Sequence, residues 1–362
     1  ETQVQKSPAE FFAENQAIAG FDNLGKSLYT SIRELMENSL DACESIATLP
    51  TISVHMEELT QNEFNKIRGI STSTKDTELF ESSTSKKKKN DSNAATPKKR
   101  SNKEGYFRIK VTDNGCGMQH DKIPDLLGCV LSGSKYGVRQ TRGKFGLGAK
   151  MALIWSKKST GVPIQVTTAH RPNANSPVPS HYSTCTLDID IAKNQPKVIS
   201  HKKHNNGIKK MIGTELEILI AGNFTTYKSR IVQYLRELAI VTPYAQISLE
   251  YSNPSEPQRN LQIRYDRRSE QMPPPAKQVK HHPSSVNNLV IQQLIAQTRQ
   301  TTVHKFLEKE LACVTSNIAK RICQECGWDD DLEPQHLSDR QITKLVQVLR
   351  TVRLFKAPDG SC

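Results

Sequence analysis

Residues 20–27 read Gly-Phe-Asp-Asn-Leu-Gly-Lys-Ser and satisfy the phosphate-loop pattern G-x-x-x-x-G-K-[ST] at every defined position. How they are read decides the fold. A phosphate loop needs a buried strand that delivers a tight turn, whose backbone N–H groups and following helix N-terminus then surround an anion. Upstream, residues 7–21 read SPAEFFAENQAIAGF. They open with the Ser7-Pro8 and Glu10 of a helix cap and continue as a short helix, not as a β-branched strand. A further helix begins near Lys26, so only half of the required context is present. Gly20 and Gly25 are therefore expected to bound a turn, with the nucleotide chemistry elsewhere.

The 362 residues suit two or three domains and can bury a substantial core. No run approaches the ~20 apolar residues of a membrane-spanning helix, and no signal-peptide core is present, which predicts a soluble chain with no membrane partner. The sequence starts at Glu1 without Met and stops at FKAPDGSC (355–362) after a helical pattern, as expected of part of a longer protein. Eight cysteines at 43, 116, 129, 185, 313, 323, 326 and 362 lack a framework spacing, which suits reduced thiols in a cytosolic or nuclear setting. Cys323 and Cys326 form a CxxC with neither a second ligand pair nor a βαβ context, so a structural role is expected of them.

The net charge of +13 points towards polyanions. Residues 81–110 hold 10 basic and 3 acidic residues, a net +7, much of it in Lys86 to Lys89 and Lys98-Lys99-Arg100. Set among Ser, Asn and Thr, this stretch reads as a solvated, disordered insertion. Two roles stay open for it: a nuclear-localisation or non-specific DNA-binding patch, or a solubilising loop.

Element order argues for an α+β layered sandwich rather than regular βαβ alternation. Lys26 to Ala47 is predicted helical, with Leu28, Ile32, Leu35, Ser39 and Ile46 on one face. Strands are predicted at Thr51–Leu59 and Tyr106–Thr112, with the insertion running from about Thr60 to Glu104 between them. A helix around Ile123–Leu131, the loop SGSKYGVRQTRGKFGLG (132–148) and a helix from near Leu147 follow. Strands at 162–169, 182–190, 197–203 and 213–220, a helix near 226–240 and strands near 245–251 and 261–265 complete the pattern. MPPPAKQVKHH (272–282) then breaks it and marks a domain boundary. Beyond this, 286–349 reads as a small all-helical domain.

Four constellations could carry chemistry. On the first long helix Glu34, Asn38 and Asp41 fall within about 60° of arc, where a carboxamide oxygen can hold Mg²⁺ while a carboxylate orients or deprotonates a water. Asp113-x-Gly115-x-Gly117 ends a strand: the Asp can accept from an exocyclic amine, and the glycines allow backbone to approach a flat ring. Gly143-Lys-Phe-Gly146-Leu-Gly148 precedes an apolar helix in the order G-x-x-G-x-G, neither fingerprint of the familiar phosphate loops, yet able to offer N–H groups and a helix dipole to phosphate. Gly213-Thr214 opens a strand where a hydroxyl could complete a polar network with a buried Asp.

This ordered set resembles the GHKL ATPases, the family of gyrase-type topoisomerases, MutL repair proteins, the ninety-kilodalton heat-shock chaperone and histidine kinases. Within it the phrases SPAEFFAENQAIAGFDN (7–23), SLYTSIRELMENSLDACESI (27–46), VTDNGCGM (111–118), LSGSKYGVRQTRGKFGLGAKMALIWSKKSTG (131–161) and FKAPDG (355–360) look like the B subunits of type IIB topoisomerases (topoisomerase VI), the plant-like form especially. The resemblance covers nearly all of the chain outside the basic insertion.

It implies a GHKL (Bergerat-type) ATPase α/β sandwich over 25–271, preceded by an N-terminal strap (1–24) that crosses to a second copy. After the Pro-rich linker it implies a helix–two-turns–helix domain (283–350) and the start of a transducer domain (351–362). Glu34 would be the general base and Asn38 the Mg²⁺ ligand. Asp41 would lie at the nucleotide, and Asp113 would accept from the adenine amine with Gly115 and Gly117 beside it and Thr214 in support. The ATP lid would run from Ser132 to Gly148. Gly143, Gly146 and Gly148 would stand at the phosphates, Lys144 or Lys150 would be charge partners, and Phe145, Leu147 and Ala149 would lie between them.

The resemblance further implies ATP and Mg²⁺ as cofactors, an ATP-dependent homodimer, DNA as substrate, a DNA-cutting A subunit in an A2B2 assembly, and a nuclear location. A lysine of the transducer reaches the γ-phosphate in this family, so slow turnover is expected of these 362 residues alone. A non-catalytic meiotic-type scaffold and a chaperone or repair ATPase are the alternatives. Residues 277–353 carry 11 Lys/Arg against 8 Asp/Glu, so charge by itself does not make the helical segment a DNA reader.

Overall fold

In the computed structural model, residues 6–70, 104–131, 142, 147–206, 210–274, 279–329 and 331–357 are described. They fall into two units divided at 275–276, within the Pro-rich stretch.

The first unit is built on strands that alternate apolar and polar side chains. Ile52, Val54 and Met56 of β1 (Thr51–Leu59) are buried, as are Phe107, Ile109 and Val111 of β2 (Gly105–Thr112). The same period recurs in β3 (Ile164–Ala169), β4 (His181–Asp190), β6 (Gly213–Gly222) and β7 (Gln246–Ser252), and β5 (Gln195–Asn205) and β8 (Leu261–Tyr265) form the two edges. The sheet order is β5-β4-β3-β6-β2-β1-β7-β8. Only β1 with β7 is parallel among these pairs; the others are antiparallel.

The apolar face is covered by α2 (Leu24–Glu44), α5 (Gly148–Thr160) and α6 (Phe224–Val241), which makes the two-layer α+β sandwich. Leu28, Ile32, Leu35, Met36 and Leu40 of α2 are all buried, each contributing about 1.5–3 kcal/mol by removal from water. The opposite face carries ion pairs such as Lys110–Glu215 at 3.2 Å. An open cleft of about 530 Å3 there is lined by His55, Glu57, Arg108, Lys110, Glu217 and Glu250, on the far side of the sheet from α2.

No strand precedes Gly20 among the described residues. α1 (Pro8–Glu14), capped by Ser7 accepting from Glu10 N–H, is followed by a 3-10 turn, Gln16–Ala19, that Gly20 closes at φ +83°. Asn23 Oδ1 then caps α2 by accepting from Lys26 N–H at 2.8 Å. Gly25 lies inside the first turn, where a Cβ would come within 2.4 Å of the Tyr227 ring, and Lys26 pairs with Asp22 at 2.7 Å. Gly25-Lys26-Ser27 is helix packing, and the phosphate-loop match is a coincidence. α1 lies against this chain's own α5 through buried Ala9 and Ala13.

Two elements differ from the sequence expectation. The insertion does not begin at Thr60: Gln61–Ile67 form α3, with a capping box between Thr60 and Glu63. Phe64 of α3 stacks on Tyr106 at 3.6 Å and covers Leu59 and Leu219, a small second core on the other face of the sheet. Residues 71–103 of the insertion lie outside the described residues. The helix expected to reach Leu131 is α4, Ile123–Gly128, and ends early; Leu131 takes φ +62°.

The second unit is helical: α7 (Asn288–Gln297), α8 (Val303–Glu310), α9 (Ser316–Cys326) and α10 (Asp339–Thr351) enclose Ile291, Phe306, Leu307, Ile322, Leu345 and Leu349. Cys323 and Cys326 are buried in that core, and among the described residues no cluster of His, Cys, Asp and Glu could hold a metal ion. No described helix is long and apolar enough to cross a membrane.

Candidate functional site

The site is organised along one helix. Asp113 leaves the end of β2 and is 7% exposed. Its Oδ1 accepts from Gly115 N–H at 2.9 Å and from Thr214 N–H at 3.2 Å, and its Oδ2 accepts from Ser39 Oγ of α2 at 3.1 Å. Asp113 N–H in turn donates to Thr214 C=O at 2.8 Å. Burial pushes this carboxyl up to about 6 against the pull of its three donors.

Thr214 is fixed from the far side by Thr168, the residue directly across β3. The two hydroxyls lie 3.0 Å apart, Thr168 Oγ1 also contacts Gly213 C=O at 3.1 Å, and it accepts from Met118 N–H at 3.0 Å.

The two glycines of the Asp113 loop serve its packing. A Cβ on Gly115 would lie 2.7 Å from Ala42 Cβ and 2.8 Å from the Ala42 backbone carbon, because the loop presses on α2 and Cys116 N–H donates to Ala42 C=O at 3.1 Å. Gly117 has φ +63°, and a Cβ there would lie 2.2 Å from Ala169 C=O at the end of β3. On the Cβ side of both glycines the close approach is to the protein's own Ala42 and Ala169.

Five residues before Ser39 on the same helix, and about 140° around it, stands Glu34. Gly148, the first residue of α5, faces its carboxylate so closely that a Cβ would lie 1.6 Å from Oε2. No side chain caps α5, whose first-turn N–H groups are unpartnered within the helix, and its first residue stands against this acid. Arg33 Nη2 donates to Glu34 Oε1, and Arg33 also stands 3.8 Å from Glu37. Burial and the neighbouring Glu34 push the Glu37 carboxyl up.

Asn38 Nδ2 donates to Glu34 C=O at 2.8 Å, which directs its amide nitrogen to the helix and leaves Oδ1 as the outward acceptor. Lys150 is buried in the first turn of α5, and burial lowers its ammonium to about 8. Leu147 and Ala149 flank Gly148 and pack against the core. Ser132, Gly143, Lys144, Phe145 and Gly146 lie outside the described residues.

Asp41 is also buried. Arg142 donates to it at 3.0 Å and to both oxygens of Glu44 at 2.7 and 2.8 Å, while Tyr244 OH donates to Glu44 at 2.7 Å. The structure therefore sets Asp113, at the end of β2, and Thr214 of β6 against Ser39 of α2, and Gly148 of α5 against Glu34, with Asn38 and Asp41 on the Glu34 side of α2, while buried Lys150 has Cys129 as its electrostatic neighbour. Glu34 and Ser39 are five residues apart, roughly 7.5 Å along the axis.

Sequence reasoning missed four contributors. Ser39 falls on the apolar face of α2, where a hydroxyl among leucines is the available signal. Thr168 needs the β3–β6 register, which no local pattern supplies. Asn114 ties the loop down by donating to Leu49 C=O at 3.0 Å and accepting from Thr51 N–H at 2.8 Å. Arg142 sits among several basic residues of 132–148 with nothing local to single it out.

Known proteins share this arrangement at the level of sequence. A family profile described as histidine kinase-, DNA gyrase B-, and HSP90-like ATPase matches residues 26–212. The B subunit of DNA topoisomerase 6 from Oryza sativa subsp. indica is 44% identical over 384 residues, covering 99% of this chain and 54% of that protein. The Arabidopsis thaliana protein of the same name is 41% identical, with 99% and 56% covered. The B subunit of the type 2 DNA topoisomerase 6 from Metallosphaera sedula is 33% identical, with 97% and 56% covered. The chain spans about half the length of these curated relatives. With more than half its residues matched and the helix–loop–helix site in place, the chain belongs to the histidine kinase-, gyrase B- and HSP90-like (GHKL) ATPase family.

Proposed function

We propose that this chain is the ATP-binding and hydrolysing portion of the B subunit of a type IIB DNA topoisomerase. The observation that carries the reading is α2 itself, which sets Ser39 against the Asp113 acceptor and, roughly 7.5 Å along its axis, Glu34 against the start of α5. A carboxylate offers about four acceptor positions, and three donors already occupy Asp113, so one position suits the exocyclic amine of adenine. The triphosphate then lies towards the N-terminus of α5, where backbone N–H groups and the helix dipole favour negative charge.

Asn38 Oδ1 is the hard oxygen donor that Mg²⁺ takes when it binds through one or two protein groups and the phosphates. Bound Mg²⁺ neutralises phosphate charge. Glu34 takes the proton from the attacking water, and the neighbouring Arg33 orients its carboxylate.

The similar relatives are named as topoisomerase subunits, which supports DNA as the substrate and a DNA-cutting A subunit as the partner. In this reading ATP favours a closed dimer of B subunits over open ones, closure captures a DNA segment, and hydrolysis releases it. The differential affinity of ATP for the closed form drives the step. The basic stretch 81–110 supports a nuclear location.

Mg²⁺-dependent ATP binding and hydrolysis by wild type, Glu34→Ala and Asn38→Ala test the reading. We expect slow hydrolysis by wild type, none with retained binding by Glu34→Ala, and weakened metal-dependent binding by Asn38→Ala. A wild-type chain that fails to bind ATP would make it a scaffold.

A further inference from the structure

Residues 81–110 hold +7, and residues 191–214 hold six lysines, at 193, 197, 202, 203, 209 and 210, with no Asp or Glu; residues 126–187 also hold eight Lys/Arg and no acid, offset by acidic stretches elsewhere. Residues 191–214 are β5 with its flanks, at the edge of the sheet. Among the described residues β5 pairs with β4 alone, leaving its other edge free.

Lys193, Lys197, Lys202, Lys203 and Lys210 are exposed, and none makes an ion pair among the described residues. Elsewhere on the same sheet the pattern differs: Arg108 and Lys110 each sit beside cross-strand carboxylates. The acids nearest β5 are Asp188, which lies opposite Lys197 but is held by Lys157, Asp190, whose Oδ1 accepts from Lys193 N–H, and Asp121 and Asp125 at the start of α4, packed against β5.

Lysine on an edge strand also guards against pairing with other chains. That task is served by charge of either sign, and a bulge opposite Thr186 and Leu187 already bends this edge. Five exposed lysines without an ion pair among the described residues, set along and beside one edge strand, offer a cationic row to a polyanion.

We propose that the free edge of β5 is a sequence-independent contact surface for the phosphate backbone of duplex DNA. Lys197 and Lys202, opposite Asp188 and Thr184, share one face of the sheet roughly 13 Å apart, and Lys203, opposite Ser183, stands on the other side of the same edge; a duplex presents a phosphate charge about every 1.7 Å of its axis, so each ammonium finds a phosphate without a fixed register. The surface stands three strands from β6 and Thr214, roughly 14 Å across the sheet, so it is separate from the nucleotide site. The inference rests on the topoisomerase reading only for the choice of DNA among polyanions.

The test is titration of a labelled 40-base-pair duplex with the full chain and with Lys197→Gln/Lys202→Gln/Lys203→Gln between 50 and 200 mM salt. ATP binding by both proteins is measured in parallel. We expect unchanged ATP binding in the variant, weaker DNA binding at low salt, and a log–log salt slope flatter by about 2–3, the value for three lost phosphate contacts. An unchanged slope, or a wild type that does not bind the duplex, would overturn the assignment. A polyglutamate peptide bound as tightly as DNA through the same three lysines would overturn it too, reassigning the edge to an acidic polypeptide. Loss of ATP binding by wild type would instead strike the functional reading and leave the edge assignment standing.

Discussion

The two places where α2 meets the proposed site are held in different ways. At one end Asp113 accepts hydrogen bonds from its own loop, from β6 and from α2, and the second hydroxyl of the Thr214–Thr168 pair locks it from β3. At the other, Glu34 is held by its neighbour Arg33 on the same helix and by the approach of Gly148. The end proposed to recognise the base is preformed by the sheet, while the end proposed to hold phosphate depends on one helix meeting the start of another. Selectivity for the base should therefore survive changes that abolish chemistry.

Gly148→Ala attacks the phosphate end and should have the largest effect. Its Cβ, 1.6 Å from Glu34 Oε2, must displace the carboxylate. A displacement of about 1 Å can cost about 10²-fold in rate, so hydrolysis should fall at least that far while base selectivity persists. Steady-state ATPase assays with competition by other nucleotides check both halves.

Asp113→Asn attacks the preformed end. It removes a charged acceptor from a buried network, about 1.5–3 kcal/mol, and should weaken ATP binding by roughly 10- to 150-fold by calorimetry.

The pH dependence sharpens the same comparison. Because burial raises Asp113 to about 6 from 3.8, its protonated form contributes stability that is fully present below 3.8 and lost as pH rises through 6. An amine donor favours the ionised form, so affinity runs the opposite way. ATP binding should be full above pH 6, fall by up to about tenfold per unit below it, and release a proton there, seen as buffer-dependent binding heat.

The smallest effect is expected from Thr168→Val, which removes the hydroxyl behind Thr214. The cost is about 1 kcal/mol, a fall of roughly 2–4 °C in Tm, with a modest loss of affinity.

Much of this arrangement was legible locally. The 3.6-residue period placed Glu34, Asn38 and Asp41 together on α2, the alternation of Phe107, Ile109 and Val111 delivered Asp113 to a strand end, and the missing strand before Gly20 removed the phosphate loop. What local pattern could not show was pairing over distance. Thr168 meets Thr214 only because β3 and β6 are neighbours in a particular register, and Ser39 meets Asp113 only because α2 crosses that strand end. α3 was hidden because its single anchor, Phe64, reads as an isolated apolar residue in polar sequence until Tyr106 is placed beneath it. A Cβ on either glycine of D-x-G-x-G would meet Ala42 or Ala169, a packing demand that only the folded neighbours reveal.

The central claim is that Asp113 accepts a hydrogen bond from the base of a nucleotide lying along α2. It is tested most directly by comparing ATP with inosine triphosphate, which carries an oxygen in place of the exocyclic amine, on the unmodified chain by calorimetry. The account predicts inosine triphosphate binding weaker by roughly 10- to 100-fold, since a carboxylate would face an acceptor. Equal affinity for the two nucleotides would contradict it.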